Sequence, residues 1–244
     1  MSGVRITFVP GRPGMIPLAL KNLLDVKGVP YTLVVHPAMG EGDDQALLYE
    51  LTAQKSVPVM FCDDERPRSA WVEQVVLADK LGKGPSLIPT DPQMRAAMFG
   101  MMSELLCEDG LFWNKRLLHG ESAFTKKYGW SEGVLEGLPK KLVASLSFFA
   151  DQLRKQKEQG SRYLLGGSLT AADVYVATLV CMFAPPGPEV LPRTKQGARL
   201  IEFFAANPPE VQAFLDGEPG LAEYRDYILQ THCVVPFVLG GDPL

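Results

Sequence analysis

The sequence predicts an α/β layer followed by an all-helical unit. Three observations carry this reading. Over the first 84 residues, short β-rich runs alternate with helix-period segments. A Pro-rich stretch, Gly84 to Pro92, comes next. Beyond it only helical periodicity remains. The expected domains are therefore 1–84 and 85–244.

Val4 to Val9 is β-rich, and Leu18 to Val26 has helical period, with Pro17 suited to its first turn and Gly28 to its end. Tyr31 to His36 predicts a strand, Asp43 to Leu51 a short helix. Val57 to Cys62 and Arg68 to Trp71 predict a strand pair joined by the turn-like Asp63 to Pro67. Glu73 to Leu81 predicts a helix closed by Gly82. The expected order is β-α-β-α-β-β-α. After the linker, Gln93 to Leu118 predicts one long Met-rich helix and Pro139 to Gln159 another, with Leu142, Leu146, Phe149 and Leu153 on one face. Ala171 to Phe183 is nearly all apolar and predicts a buried central helix. Shorter helices are expected at 199–206, 209–215 and 221–229.

Composition narrows the function classes. A chain of 244 residues with 46% hydrophobic content is long enough to bury a large core, and its dispersed Gly (23) and Pro (20) mark turns. The net charge of −4 argues against a nucleic-acid partner. No apolar run reaches the ~18–20 residues of a membrane span, and the N terminus lacks a signal-peptide pattern. Cys62, Cys107, Cys181 and Cys233 stand apart, without a C-x-x-C or a Cys/His cluster. That pattern argues for free thiols in a reducing, cytoplasmic setting and against a metal site.

Several local motifs have both a structural and a functional reading. Thr170 and Asp173 form a capping-box pattern: the hydroxyl would accept the Asp173 N–H, and the carboxylate the Thr170 N–H. That role is structural. Pro58 opens a strand and is by sequence alone an ordinary trans proline, with a cis bond the alternative. Glu73 and Gln74 begin a helix, where an acid complements the dipole and the free N–H groups suit a carboxylate ligand. Arg12, in the loop after the first strand, is either a solvated cation or a ligand contact. Met98, Met101, Met102, Leu105, Phe112 and Trp113 form an apolar stripe that suits a core or an adaptable pocket wall.

Together these segments resemble the cytosolic glutathione transferase superfamily over roughly residues 4 to 229. Leu51 to Pro58 is similar to the family's approach to its cis-proline. Trp71 to Leu81 resembles its acid-Ser helix, Leu87 to Ala96 its linker and fourth helix, and Tyr163 to Asp173 its buried-helix cap. The resemblance implies an N-terminal thioredoxin-like domain and an all-helical glutathione-transferase-type C-terminal domain, α/β plus all-α, in a homodimer. It implies glutathione as co-substrate and no metal. Glu73 would pair with the γ-glutamyl ammonium, and Gln74 and its helix N-terminus would take the γ-glutamyl carboxylate. Val57 beside Pro58 would pair with the cysteinyl backbone, and Lys55 would hold the glycyl carboxylate.

Two departures stand out. Gln74 replaces the family's usual serine, and no Ser, Thr, Tyr or Cys occurs from Phe8 to Pro30. The chain thus resembles a divergent member without the usual thiol activator. Arg12, loop N–H groups or a hydroxyl elsewhere would have to favour the thiolate. The expected function is joining the glutathione thiolate to an electrophilic apolar small molecule against Met102, Phe112 and Trp113, in a detoxifying role. The alternative is a non-catalytic glutathione- or ligand-binding protein. A thiol-disulfide oxidoreductase lacks its nucleophilic cysteine in the first loop.

Overall fold

The computed structural model describes residues 2–36, 44–54 and 56–240. Strand β1 (Val4–Phe8) sits centrally, parallel to β2 (Tyr31–Val35) and antiparallel to β3 (Met60–Cys62), giving the order β2-β1-β3. The fourth strand expected from Arg68 to Trp71 shrinks to one antiparallel bridge, Met60 to Arg68. Trp71 instead opens helix α3 (Trp71–Leu81), whose cap residue is Ala70. Around the sheet lie α1 (Met15–Val26) and α2 (Asp44–Thr52).

Among the described residues after 91, the regular structure is helical: α4 (Pro92–Leu106), α5 (Leu111–Leu117), α6 (Ala123–Lys126), α7 (Glu132–Glu158), α8 (Ala171–Val180), α9 (Ala198–Ala205), α10 (Pro209–Gly217) and α11 (Gly220–His232). The architecture is a thioredoxin-like α/β unit followed by an all-helical unit. The expected long helix 93–118 is two helices. Asp109 adopts φ +62°, and a Cβ on Gly110 would come within 2.5 Å of the Glu104 carbonyl oxygen. The chain therefore turns at Gly110, a position that only glycine fills without displacing backbone. The helix expected from Pro139 starts seven residues earlier. Val134, Leu135 and the fully buried Leu138 pack against Leu117 and Tyr128. That tertiary burial carries the helix through Pro139 despite the lost backbone bond.

The two units interlock. α1 packs on the wholly buried α8, and Asn22 Nδ2 donates to Thr178 Oγ1 at 3.0 Å across the contact. Lys27, also buried, reaches Asp79 at 3.0 Å and the Pro85 carbonyl at 2.8 Å, and Leu87 O accepts from Ala171 N at 2.9 Å. These bonds fix the linker and so the spacing of the walls between the units.

At the start of α8, the buried Asp173 carboxylate accepts from Thr170 N (2.8 Å), Thr170 Oγ1 (2.7 Å), Leu164 N (2.7 Å) and Tyr224 OH (2.8 Å). The capping role read from the sequence holds, with the Thr170 hydroxyl also donating to the carboxylate. Burial pushes this carboxyl above its ordinary range against the pull of those bonds.

Candidate active site

A cleft of about 330 Å³ lies between the units, within the size range of small-molecule sites. Val9, Arg12, Ile16, His36, Ser56 and Val57 line it from the α/β side. Phe112, Arg116, His119, Tyr128, Phe203 and Phe204 line it from the helical side. Its surface is mostly apolar. Among the described residues no aspartate or glutamate lines it, and its charged side chains are Arg12 and Arg116.

The α/β wall is built on the end of β1 and the segment entering β3. Arg12 is exposed in the loop after β1, at the C-terminal edge of the sheet. Gly11 in the same loop has φ +70°; its N–H donates to Leu239 O at 2.7 Å, and its carbonyl accepts from Thr194 Oγ1. The Val57–Pro58 peptide is cis, as the family resemblance implied and the residue reading alone did not. Among the described residues, neither the N–H nor the C=O of Val57 enters a backbone hydrogen bond. Both remain available to an added extended strand.

Glu73 lies in the first turn of α3, half-exposed, and pairs with Arg66 at 2.5 Å. That hydrogen bond holds its carboxyl below the usual range. Gln74 is buried, and its Nε2 donates to Pro58 O and Arg68 O, each at 2.9 Å. Its side-chain N–H groups are thus spent fixing the proline turn. A carboxylate at this end would meet the first-turn N–H groups of α3 instead. Lys55 lies outside the described residues.

On the helical wall, Phe112 of the expected pocket residues lines the cleft. Met102 and Trp113 do not: Met102 is fully buried in the core, and Trp113 turns its Nε1 to the Tyr128 carbonyl at 3.0 Å. The turn at Gly110 causes this, because it takes Met102 and Trp113 off a common helix face. Among the described residues, those of the C-terminal tail (233–240) do not line this cleft. Val238 and Leu239 cover an adjoining hollow beside Phe8, Arg12 and Val57, and Gly240 lies against the Phe8 ring.

The sequence reading missed four features. Arg116 lies between two rings, its guanidinium carbon 4.0 Å from the Phe112 centroid and 4.4 Å from that of Tyr128. Burial lowers its pKa to about 10. His119 stacks on Phe203 with centroids 4.0 Å apart, and burial together with Lys115 and Arg116 lowers it to about 4. Ser56 Oγ and Tyr128 OH are 3.3 Å apart and bring hydroxyls next to Val57. Phe203 and Phe204 come from α9. No local spacing joins residues 56, 116, 128 and 203, so periodicity could not have found them.

The chain thus combines a cis-proline segment on a small α/β unit with a facing helical wall. Residues 132–226 match the family model described as the glutathione S-transferase C-terminal domain. Three solved structures share the whole architecture. One is a glutathione transferase homologue from Sulfitobacter with bound glutathione: 16% identity, TM-score 0.62, covering 94% of this chain and 93% of that one. A second is a glutathione S-transferase from Methylobacterium radiotolerans in complex with glutathione sulfonate: 15% identity, TM-score 0.65, covering 99% and 95%. The third is a maleylacetoacetate isomerase from Methylobacterium extorquens with bound malonate and glutathione: 15% identity, TM-score 0.63, covering 93% and 92%. No curated protein matches the chain by sequence. At such identities the likeness establishes the fold. Residues 132–226 thus match the glutathione S-transferase C-terminal domain, and the chain as a whole shares the fold of these three structures.

Proposed function

We propose that the protein binds glutathione at the edge of the sheet and joins its thiolate to an electrophilic apolar small molecule in the cleft. The observation that carries this reading is the cleft itself: Val57, with its unused backbone groups, and Arg12 face an aromatic wall across a space of about 330 Å³. Glu73 takes the γ-glutamyl ammonium, exchanging it for Arg66. The N-terminus of α3 takes the neighbouring carboxylate, Val57 pairs with the cysteinyl backbone, and Lys55 holds the glycyl end. Arg12 is the residue proposed to stabilise the thiolate, assisted by the hydroxyls of Ser56 and Tyr128. The sulfur then forms a bond to an electrophilic carbon. Either a leaving anion departs with its bonding pair, or the carbanion formed by addition to an activated double bond takes a proton from water.

The same reading places the division of the chain in the linker, as 1–84 and 85–244, and the protein in the cytoplasm as a homodimer with a detoxifying role. Val72 and Val76, exposed one turn apart on α3, suit a covered face in such a dimer. A second reading, glutathione binding without chemistry, is favoured by the absence of any hydroxyl or thiol side chain between Phe8 and Pro30.

Calorimetric titration with glutathione, followed by conjugation assays with several electrophiles, separates the two. Binding with turnover supports the transferase, and binding without turnover of any electrophile supports the second reading. Absence of binding overturns both.

A further inference from the structure

Among the described residues four Lys or Arg side chains are fully buried, and three of them have carboxylate partners. Lys21 meets Asp25 at 2.7 Å, Lys27 meets Asp79 at 3.0 Å, and Arg225 meets Asp226 at 2.7 Å. This is what desolvation demands of a charge withdrawn from water. Arg116 is half-buried. It lies on the cleft wall and, among the described residues, has no carboxylate partner. The adjacent Lys115 is the fourth of the buried side chains and contacts only the Asn207 amide oxygen, at 2.7 Å, and the Phe183 ring. The C-terminal carbonyls of α5 offer Arg116 a fraction of a negative charge, but α5 has only seven residues. Among the described residues Tyr128 is the one ionisable group facing it that favours its charge, and it is not a carboxylate. The two flanking rings hold the guanidinium plane and leave its N–H edge for a ligand.

We propose that Arg116 is a specificity-determining residue that takes a carboxylate, or a similarly delocalised anion, borne on a flat aromatic or unsaturated second substrate. The substrate body would lie among Phe112, His119, Phe203 and Phe204, and the anion would supply the missing counter-charge. This inference deepens the transferase reading and rests on its assignment of the cleft to a second substrate. Glutathione also carries carboxylates. Its proposed contacts, however, run along the α/β wall from Glu73 to Lys55, whereas Arg116 stands on the helical wall.

The test compares equilibrium binding of 3,5-dinitrobenzoate with that of its neutral isostere 3,5-dinitrobenzamide, on the full chain saturated with glutathione. Because neither probe reacts, the result does not depend on turnover. The expected preference for the carboxylate is about tenfold or more. It should fall to within about twofold in Arg116→Gln and Arg116→Met, recover in part in Arg116→Lys, and persist in Arg162→Gln, which removes a cation outside the cleft. Thermal melts establish that each variant is folded. A wild-type protein without the preference, or an Arg116→Gln protein that keeps it, overturns the proposal. So does a loss of glutathione affinity in Arg116→Gln equal to the loss for dinitrobenzoate, which would assign Arg116 to glutathione. A protein that prefers the carboxylate but conjugates no electrophile retains the inference about Arg116 and fails the transferase reading alone.

Discussion

Asp173 and Arg116 are both ionisable groups withdrawn from water, and their surroundings are opposite. Asp173 accepts four hydrogen bonds from three segments of the helical unit, which leaves it nothing to offer a ligand. Arg116 is held by two ring faces and has no acidic partner among the described residues. A buried charge whose bonds are all internal serves the fold. One left uncompensated at the wall of a cleft costs stability in the free protein, and that cost is offset only when a ligand arrives.

Removing each group should give opposite balances of stability and binding. Asp173→Ala strands four donors in the core, and denaturant unfolding should record a loss of about 3–5 kcal/mol. A loss below about 1 kcal/mol would mean that the Asp173 node is not what anchors α8. At the other wall, Glu73→Gln should weaken glutathione binding about 10–100-fold by calorimetry, with little change in unfolding midpoint, because Glu73 pairs only with a surface arginine. Thr170→Ala removes one donor to Asp173 and should cost about 1 kcal/mol. Arg116→Met should leave stability within about 1 kcal/mol of wild type or raise it, since an apolar side chain replaces a desolvated charge. A loss as large as that of Asp173→Ala would make Arg116 a structural residue and erase the contrast.

The smallest expected effect is on pH dependence. His119 titrates at about 4 in the folded protein and near 6.5 when unfolded. Between those values the unfolded chain binds the extra proton. Its contribution to stability is therefore complete above pH 6.5 and is lost as the pH falls toward 4. In Arg116→Met one of the repelling cations is gone, so the His119 resonance should titrate above its wild-type midpoint by NMR. An unchanged midpoint would leave burial and Lys115 as the causes.

The contrast also explains what could be read from the sequence. The Asp173 node was legible because a capping box is local, three residues from cap to carboxylate. The strand-helix alternation, the linker and the apolar α8 were legible for the same reason. The break at Gly110 was not, because it is set by the approach of the Glu104 carbonyl and by packing beyond the helix. Once that break is known, Met102 goes to the core and Trp113 to Tyr128, while Arg116, His119 and Tyr128 reach the cleft. Arg12, Val57 and Glu73 could be singled out as candidates because strand ends and helix starts mark a sheet edge. Gln74 was read as a ligand contact, whereas its amide holds the backbone at Pro58 and Arg68.

The central claim is that cationic and hydroxyl groups in the cleft, in place of a side chain from the loop after β1, hold glutathione as its thiolate. The most direct test is the pH titration of protein-bound glutathione, followed by the ultraviolet absorbance of the thiolate, in the wild type and in Arg12→Ala. The bound thiol should titrate about one unit or more below free glutathione in the wild type, and Arg12→Ala should move it back toward the free value. A bound thiol that titrates with free glutathione would contradict the claim, and a depressed value that Arg12→Ala leaves unmoved would remove Arg12 from the mechanism.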